Sequence, residues 1–272
     1  MATTAAEKRT QFRKLHESGC FVIPNPWDVG SAKLLQHLGF KALASTSAGF
    51  AWSIGRPDNG VTADDVVAHL KALCEASDLP VNADFEAGFA TTPDGIAKNC
   101  AAAVRAGVAG LSIEDSTGDK DAPLYPREVA IERLKAARKG IDSEDKTTML
   151  VGRSEGFIVG RPDLKETIER LVAYAEAGAD CLYAPGIRTK EDIAAVVKAV
   201  APKPVNLLLG SPGYSVAEMA ELGVRRISVG GSLARVAYGA FLAAAKEMAG
   251  QGTFGGLANG APGGELNKIM RG

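Results

Sequence analysis

Asp84 and Glu86 stand two residues apart at the end of a short apolar run, Val81-Asn82-Ala83-Asp84-Phe85-Glu86-Ala87-Gly88. Such a run reads as a β-strand, and side chains two apart on a strand share a face. Two carboxylates side by side repel unless a positive charge lies between them. A hard divalent cation answers that need, because Mg²⁺ takes oxygen ligands and keeps several of its waters. The pair by itself is equally compatible with a strand end carrying two solvated acids. More polar groups follow other apolar runs: Ser45, Thr46 and Ser47; Asp58 in Gly55-Arg56-Pro57-Asp58; Glu114 and Asp115; Arg153, Ser154 and Glu155. Acids converging with one arginine suit a carboxylate-held metal that chelates an anionic substrate, with Arg153 gripping a substrate carboxylate through its fork of donors.

Other catalytic chemistries lack their residues. The three histidines, His16, His37 and His69, all fall in helical patterns away from these run ends. They offer no base for a nucleophilic triad. Cys20, Cys74, Cys100 and Cys181 are scattered without metal-ligand spacing. Cys20 and Cys181 open strands, at the far end from the acids, and read as buried inert thiols. Metal, carboxylates, hydroxyls and backbone donors remain, a set that favours a reaction passing through an enolate.

The elements that must position these groups follow a rhythm. Apolar runs at 20–23, 42–45, 81–84, 110–114, 148–153, 181–184, 204–208 and 226–229 read as strands. Helical patterns follow each, at 29–38, 63–77, 93–106, 126–139, 164–177, 190–200, 216–222 and 233–248. Gly39, Gly107, Gly178 and Gly223 stop helices before the next strand. With a polar N-terminal helix in front, this predicts an α/β fold: a (β/α)₈ TIM-type barrel formed as a single domain over 1–272. The acids and Arg153 then lie at the C-terminal strand ends, the face on which barrels carry their active sites. A doubly wound open sheet is the alternative. It would show a glycine-rich turn after the first strand, where this chain has Pro24-Asn25-Pro26-Trp27-Asp28. The tail, 249–272, is glycine-rich and closes in a helical pattern at 265–270; it reads either as a segment docking on a neighbouring subunit or as a frayed end.

Composition narrows the partners. A length of 272 residues suits one large domain, and 46% hydrophobic with 23% charged residues is the balance of an ordinary soluble globule. A net charge of −1 argues against nucleic acid or an anionic membrane as partner. No run approaches the roughly 20 apolar residues that span a bilayer. The polar N-terminus has no signal core, and the scattered cysteines suit a reduced, cytoplasmic protein.

The ordered segments Ser45-Thr46-Ser47, Gly55-Arg56-Pro57-Asp58, Asp84-Phe85-Glu86-Ala87-Gly88, Ser112-Ile113-Glu114-Asp115, Gly152-Arg153-Ser154 and Ser232-Leu233-Ala234-Arg235 carry a family resemblance. Over nearly its whole length the chain resembles the isocitrate lyase/phosphoenolpyruvate mutase superfamily. The resemblance implies a Mg²⁺-dependent barrel, with Mn²⁺ as a substitute ion, acting on a small α-oxo or α-hydroxy carboxylate through a pyruvate-enolate or oxalate-like species. By matching position it makes Asp84 the direct metal ligand, with Asp58, Glu86 and Glu114 holding metal-bound waters. It gives the catalytic work to Asp58, Glu114 and Arg153. Ser45 and the backbone amides around Thr46 and Ser47 would bind the substrate carboxylate, and Arg153 would clamp it. Asn206 and Arg235 would reach the distal part of a larger substrate. A homotetramer built as a dimer of dimers with a swapped eighth helix is also implied, and the glycine-rich stretch after Met248 fits such a crossover.

Departures from the family narrow the reaction. Isocitrate and methylisocitrate lyases carry a Lys-Lys/Arg-Cys-Gly-His loop after the fourth strand. Here that loop runs from Ser116 to Tyr125 without Cys or His, leaving Lys120 and Tyr125 as its proton donors. It reads as a gate over the site or as an ordinary surface connection. The lyases also place a Glu after the sixth strand, where this chain has Tyr183-Ala184-Pro185-Gly186. The usual lyase cleavage of a tricarboxylate is therefore not expected. Decarboxylation of an oxaloacetate-like acid, or C–C cleavage of another small acid, needs the fewest catalytic groups and leads. P–C chemistry, as in phosphoenolpyruvate mutase or phosphonopyruvate hydrolase, is the alternative. It draws on Gly210-Ser211-Pro212-Gly213 and Gly230-Gly231-Ser232, where barrels often bind phosphate. A non-catalytic carboxylate-binding protein is the second alternative.

Overall fold

The computed structural model describes residues 3–271. Strands and helices alternate along the chain: α1 (Ala5–Leu15), β1 (Phe21–Ile23), α2 (Val29–His37), β2 (Leu43–Ala44), α3 (Ser47–Ser53), α4 (Ala63–Ala76), β3 (Val81–Asp84), α5 (Pro93–Arg105), β4 (Gly110–Glu114), α6 (Arg127–Glu144), β5 (Met149–Arg153), α7 (Leu164–Glu176), β6 (Cys181–Tyr183), α8 (Lys190–Val200), β7 (Val205–Leu208), α9 (Val216–Glu221), β8 (Arg226–Ser228), α10 (Ser232–Gln251) and α11 (Gly263–Arg271). Side-chain oxygens cap most helix starts. Thr4, Asp28, Thr62 and Ser215 form reciprocal capping boxes, and Thr92, Asp163 and Thr189 cap singly.

All strand pairs are parallel, in the order β1-β8-β7-β6-β5-β4-β3-β2. Between β1 and β2 the seam is thin: the Ala44 amide donates to Pro24 O at 3.0 Å. Asn25 reinforces it. Its Nδ2 donates to Ser45 O, and its Oδ1 accepts from the amides of Val229 and Gly230, each at 2.9 Å. One buried side chain thus ties the ends of β1, β2 and β8. The result is the expected barrel, and the open sheet is excluded.

Two apolar bodies hold it together. The larger lies between strands and helices and includes Leu70, Phe85, Ile96, Leu111, Leu134 and Leu182. The smaller fills the barrel, with Phe12 of α1 plugging the bottom beneath Ile23, Met149, Val151 and Cys181. The other side of the interior is polar: Asn82, Ser112, Asn206, Arg226 and Ser228 are all buried. Arg226 donates to Asn206 Oδ1 at 2.8 Å, and Asn206 donates to Ser228 Oγ at 3.0 Å. A half-polar interior leaves the pocket above it wettable.

One element differs from expectation. Residues 47–53 form a helix, α3, although they carry no long amphipathic pattern; Thr46 caps it, accepting from the Gly49 amide at 3.3 Å. The tail segment α11 packs on α2 of its own chain, where Lys33 Nζ donates to Met270 O at 2.7 Å. The left-handed Gly252 ends α10 and starts this return. Along α10 only Ala234 is buried, and Val236, Phe241 and Leu242 are exposed. Among the described residues no helix is long and apolar enough to cross a membrane.

The closest helix contact is α5 on α6. A Cβ on Gly140 would lie 2.1 Å from Ala97 O, so no larger residue fits without moving a helix. Gly140→Ala is expected to destabilise the fold by about 1–3 kcal/mol through overpacking. Gly250→Ala, where a Cβ meets nothing within 4 Å, is expected to stay within about 0.5 kcal/mol. Urea unfolding of the two variants checks the difference.

Candidate active site

The C-terminal ends of β3, β4 and β5 bring the expected residues together. Arg153 leaves the end of β5 and donates through Nη1 to Asp84 Oδ1 at 3.1 Å; the same nitrogen lies 3.2 Å from Glu114 Oε2. Its Nε donates to Glu155, and the guanidinium lies over the Tyr183 ring at 5.2 Å. Asp84 also accepts from the amide and hydroxyl of Ser47, each at 3.0 Å, while its own amide donates to Ser45 Oγ at 2.8 Å. The start of α3 is thereby fixed against the metal-ligand candidate.

Glu86 arrives by a different route from the strand alternation expected. β3 ends at Asp84, and Glu86 lies in the following turn with φ +43°, a left-handed conformation rare outside glycine. Phe85 between them is buried in the outer core, and the Glu114 amide donates to Glu86 O at 3.0 Å. These two restraints hold the strained turn, and strain of this kind concentrates at functional sites. The buried Glu86 Oε1 has no hydrogen-bond partner.

Electrostatics agree that positive charge is missing. Burial, then Asp84 and Asp58, push Glu86 up to about 7. Burial raises Glu114 well above the carboxylate range despite Arg153, and raises Glu155 against the same opposition. Burial and Asp84 raise Asp58, whose carboxyl faces the pocket from an exposed loop. Burial opposes the charge on Arg153, but Glu114, Glu155 and Asp84 outweigh it and hold the guanidinium protonated. Five acids thus surround one arginine. Among the described residues no three His, Cys, Asp or Glu side chains converge as a complete inner sphere. The buried, unpartnered Glu86 Oε1 and the excess of acids over Arg153 fit Mg²⁺, which takes few carboxylates directly and keeps several waters. Asp84 would take it, and Glu86, Glu114 and Asp58 would hold the waters.

An inner pocket of about 170 Å³ sits among these groups, bounded by Ser45, Thr46, Ser47, Asp84, Arg153 and Tyr183. It opens into a vestibule of about 690 Å³ lined by Trp52, Arg188, Tyr214 and the Gly210–Gly213 and Gly230–Ser232 loops. The two residues expected to reach the distal part of a substrate lie at different depths. Asn206 lies in the inner pocket's wall with its amide committed to Arg226 and Ser228. Arg235 lines the vestibule from α10 and does not reach the inner pocket. In the 116–125 loop, Ser116 bridges Leu124 as a small hairpin, Lys120 is exposed, and the Arg133 guanidinium covers the Tyr125 ring at 4.2 Å. His16 is buried and His69 half-buried, and desolvation lowers them to about 3 and about 4.

Sequence reasoning missed Glu155 as the Arg153 partner, although its place two residues after Arg153 at a strand end was a usable signal. It also missed the role of Asp115, and with it Arg170 and Tyr174. Both donate to Asp115 Oδ2, at 3.2 and 2.6 Å respectively. Nothing in the pattern of α7 distinguishes these two from other core-facing positions.

Comparison with known proteins identifies the family and the fold. The family model described as phosphoenolpyruvate phosphomutase matches residues 12–249. A crystal structure from Burkholderia cenocepacia J2315, named provisionally as a lyase/mutase, superposes with a TM-score of 0.95 at 47% identity, covering 98% of each chain. The 2,3-dimethylmalate lyase of Eubacterium barkeri is 31% identical over 74% of this chain and 67% of its own length. An oxaloacetate decarboxylase of Rhodopseudomonas palustris is 26% identical over 79% of this chain and 74% of its own length.

The raised Glu86 gives a pH dependence of definite sign. Folded Glu86 keeps its proton up to about 7, above its ordinary 4.5. Its contribution to stability is therefore present at low pH and lost as pH rises through about 7. The metal-free protein is expected to lose stability over that window, and Glu86→Gln to flatten the loss; thermal unfolding across pH reads this. Mn²⁺ binding, which needs the carboxylate charged, is expected to strengthen over the same window. Asp84→Asn is expected to abolish it in an electron paramagnetic resonance titration.

Proposed function

Because the chain belongs to the isocitrate lyase/phosphoenolpyruvate mutase superfamily, we propose that it is a Mg²⁺-dependent enzyme that breaks a C–C bond in a small α-oxo or α-hydroxy carboxylate, with decarboxylation of an oxaloacetate-like acid as the leading reaction. The observation that carries this reading is the cluster of Asp58, Asp84, Glu86, Glu114 and Glu155 around a single Arg153 at the barrel mouth. A bound Mg²⁺ would supply the positive charge against which an enolate forms.

The chain's own groups divide the remaining work. Arg153 Nη1 and the Ser47 amide and hydroxyl all donate to Asp84; an ion on Asp84 would draw on that carboxylate and leave these donors to a substrate carboxylate beside it. The amide's position is set by the start of α3. Glu114 and Asp58, both raised by burial, would hold or pass a proton at the pocket. The inner pocket of about 170 Å³ accepts a small acid and excludes a bulky one, while the vestibule receives any distal group. The relatives named as a dimethylmalate lyase and an oxaloacetate decarboxylase support C–C cleavage.

P–C chemistry is the second reading. The glycine loops at Gly210–Gly213 and Gly230–Ser232 favour it, because both open on the vestibule where a phosphonate could lie. The exposed apolar side chains of α10 support exchange of that helix between protomers in a homotetramer.

A panel of oxaloacetate, malate-type and citrate-type acids, assayed with Mg²⁺ for pyruvate and glyoxylate, tests the activity. Release from at least one acid, abolished by EDTA, is expected; release from none refutes C–C cleavage. Phosphorus magnetic resonance of phosphonopyruvate incubated with the protein separates the P–C reading. Arg153→Lys keeps the charge and loses the fork, so it is expected to raise KM about tenfold or more.

A further inference from the structure

Beneath the clamp lies a second charged cluster, outside the lining of the inner pocket. Asp115, 1% exposed, follows Glu114 at the end of β4. Its Oδ1 accepts the Glu155 amide at 2.7 Å, and its Oδ2 accepts Tyr174 OH at 2.6 Å and Arg170 Nη1 at 3.2 Å. Tyr174 is fully buried and Arg170 nearly so. The cluster is more elaborate than a core needs. A buried ion pair seldom gains stability over apolar packing of the same volume, so its retention points to a geometric role.

The geometry points to the Asp115–Arg170–Tyr174 cluster as a positioning device for the substrate clamp, acting through Glu155 on Arg153. Asp115 fixes the Glu155 backbone, and Glu155 holds the Nε edge of Arg153. With that edge anchored, the guanidinium can only present its Nη edge to Asp84, Glu114 and the pocket. An arginine already anchored does not lose its rotamer freedom again when a substrate binds. The same cluster holds the neighbouring loop. The Tyr125 amide donates to Asp115 O at 2.9 Å, and Arg170 Nη1 donates to Tyr125 O at 3.0 Å. Both ends of the 116–125 hairpin therefore rest on the residue that sets the clamp.

The inference rests on the proposed carboxylate-binding function, and two readouts separate the two claims. Oxalate serves as the probe, because it is a planar dicarboxylate without a scissile substituent. Calorimetry measures its affinity for the Mg²⁺-loaded protein, and paramagnetic resonance measures Mn²⁺ affinity without oxalate. Asp115→Asn keeps the shape and removes the charge; it is expected to weaken oxalate binding about tenfold. Tyr174→Phe, the milder change, is expected to weaken it about threefold. Mn²⁺ affinity is expected to stay within about twofold of wild type in both, since neither residue faces the ion. In turnover the loss is expected in KM with kcat retained. Oxalate binding unchanged in both variants overturns the positioning role, and so does an equal loss of Mn²⁺ and oxalate, which marks general damage. Wild-type protein that binds Mn²⁺ but not oxalate overturns the functional reading and the inference with it.

Discussion

The guanidinium of Arg153 stands among more negative charge than it can neutralise. Asp84 and Glu114 share its Nη1 and Glu155 takes its Nε, while Glu86 and Asp58 press on the same space. One positive charge against five acids leaves the barrel mouth short of cations, and burial magnifies the shortfall because little water screens it. The raised acids and the unpartnered Glu86 oxygen are two expressions of that shortfall. A dication removes it. It would also relieve Arg153 of part of its load and so free Nη donors for an incoming carboxylate.

The fold exists, in this respect, to force charges together that would otherwise separate. Parallel strands deliver Asp84, Glu114 and Arg153 side by side, because Glu114 and Arg153 are register partners and β3 pairs β4 next to them. The closure at Asn25 keeps β1 and β2 from opening, which holds Ser45 and Ser47 against Asp84. The turn that carries Glu86 is held in a left-handed conformation by the buried Phe85 and the Glu114 amide. Stability from the two apolar bodies outweighs the cost of local repulsion and strain, as is usual where a site is built for binding.

Much of this was legible in the residues. The alternation of β-branched runs with helical patterns gave the barrel, since each run is short and several of the helices end at a glycine. The strand-end positions gave Asp84, Glu114, Arg153 and Ser47 directly, because strand ends in a barrel converge whatever the loops do. Glu86 was found for an incorrect reason: the chain leaves the strand earlier than alternation assumes, and a turn restores the same juxtaposition. Arg226, whose Nε donates to Asn206 Oδ1, is a buried cation whose place inside the barrel no local pattern discloses. α3 stayed hidden because seven residues carry too little periodicity. Asp115, Arg170 and Tyr174 come from separate elements, and only tertiary packing brings them into contact.

The central claim is that the surplus of acids around Arg153 is a metal site for carboxylate chemistry. A crystal structure with Mn²⁺ and oxalate, using the anomalous signal to place the ion, tests it most directly. The account predicts an ion with Asp84 as its one direct protein ligand, oxalate chelating it, and Arg153 turned through its Nη edge onto oxalate while Nε stays on Glu155. An ion placed away from Asp84, or oxalate seated without one while Arg153 remains on Asp84 and Glu114, would contradict it.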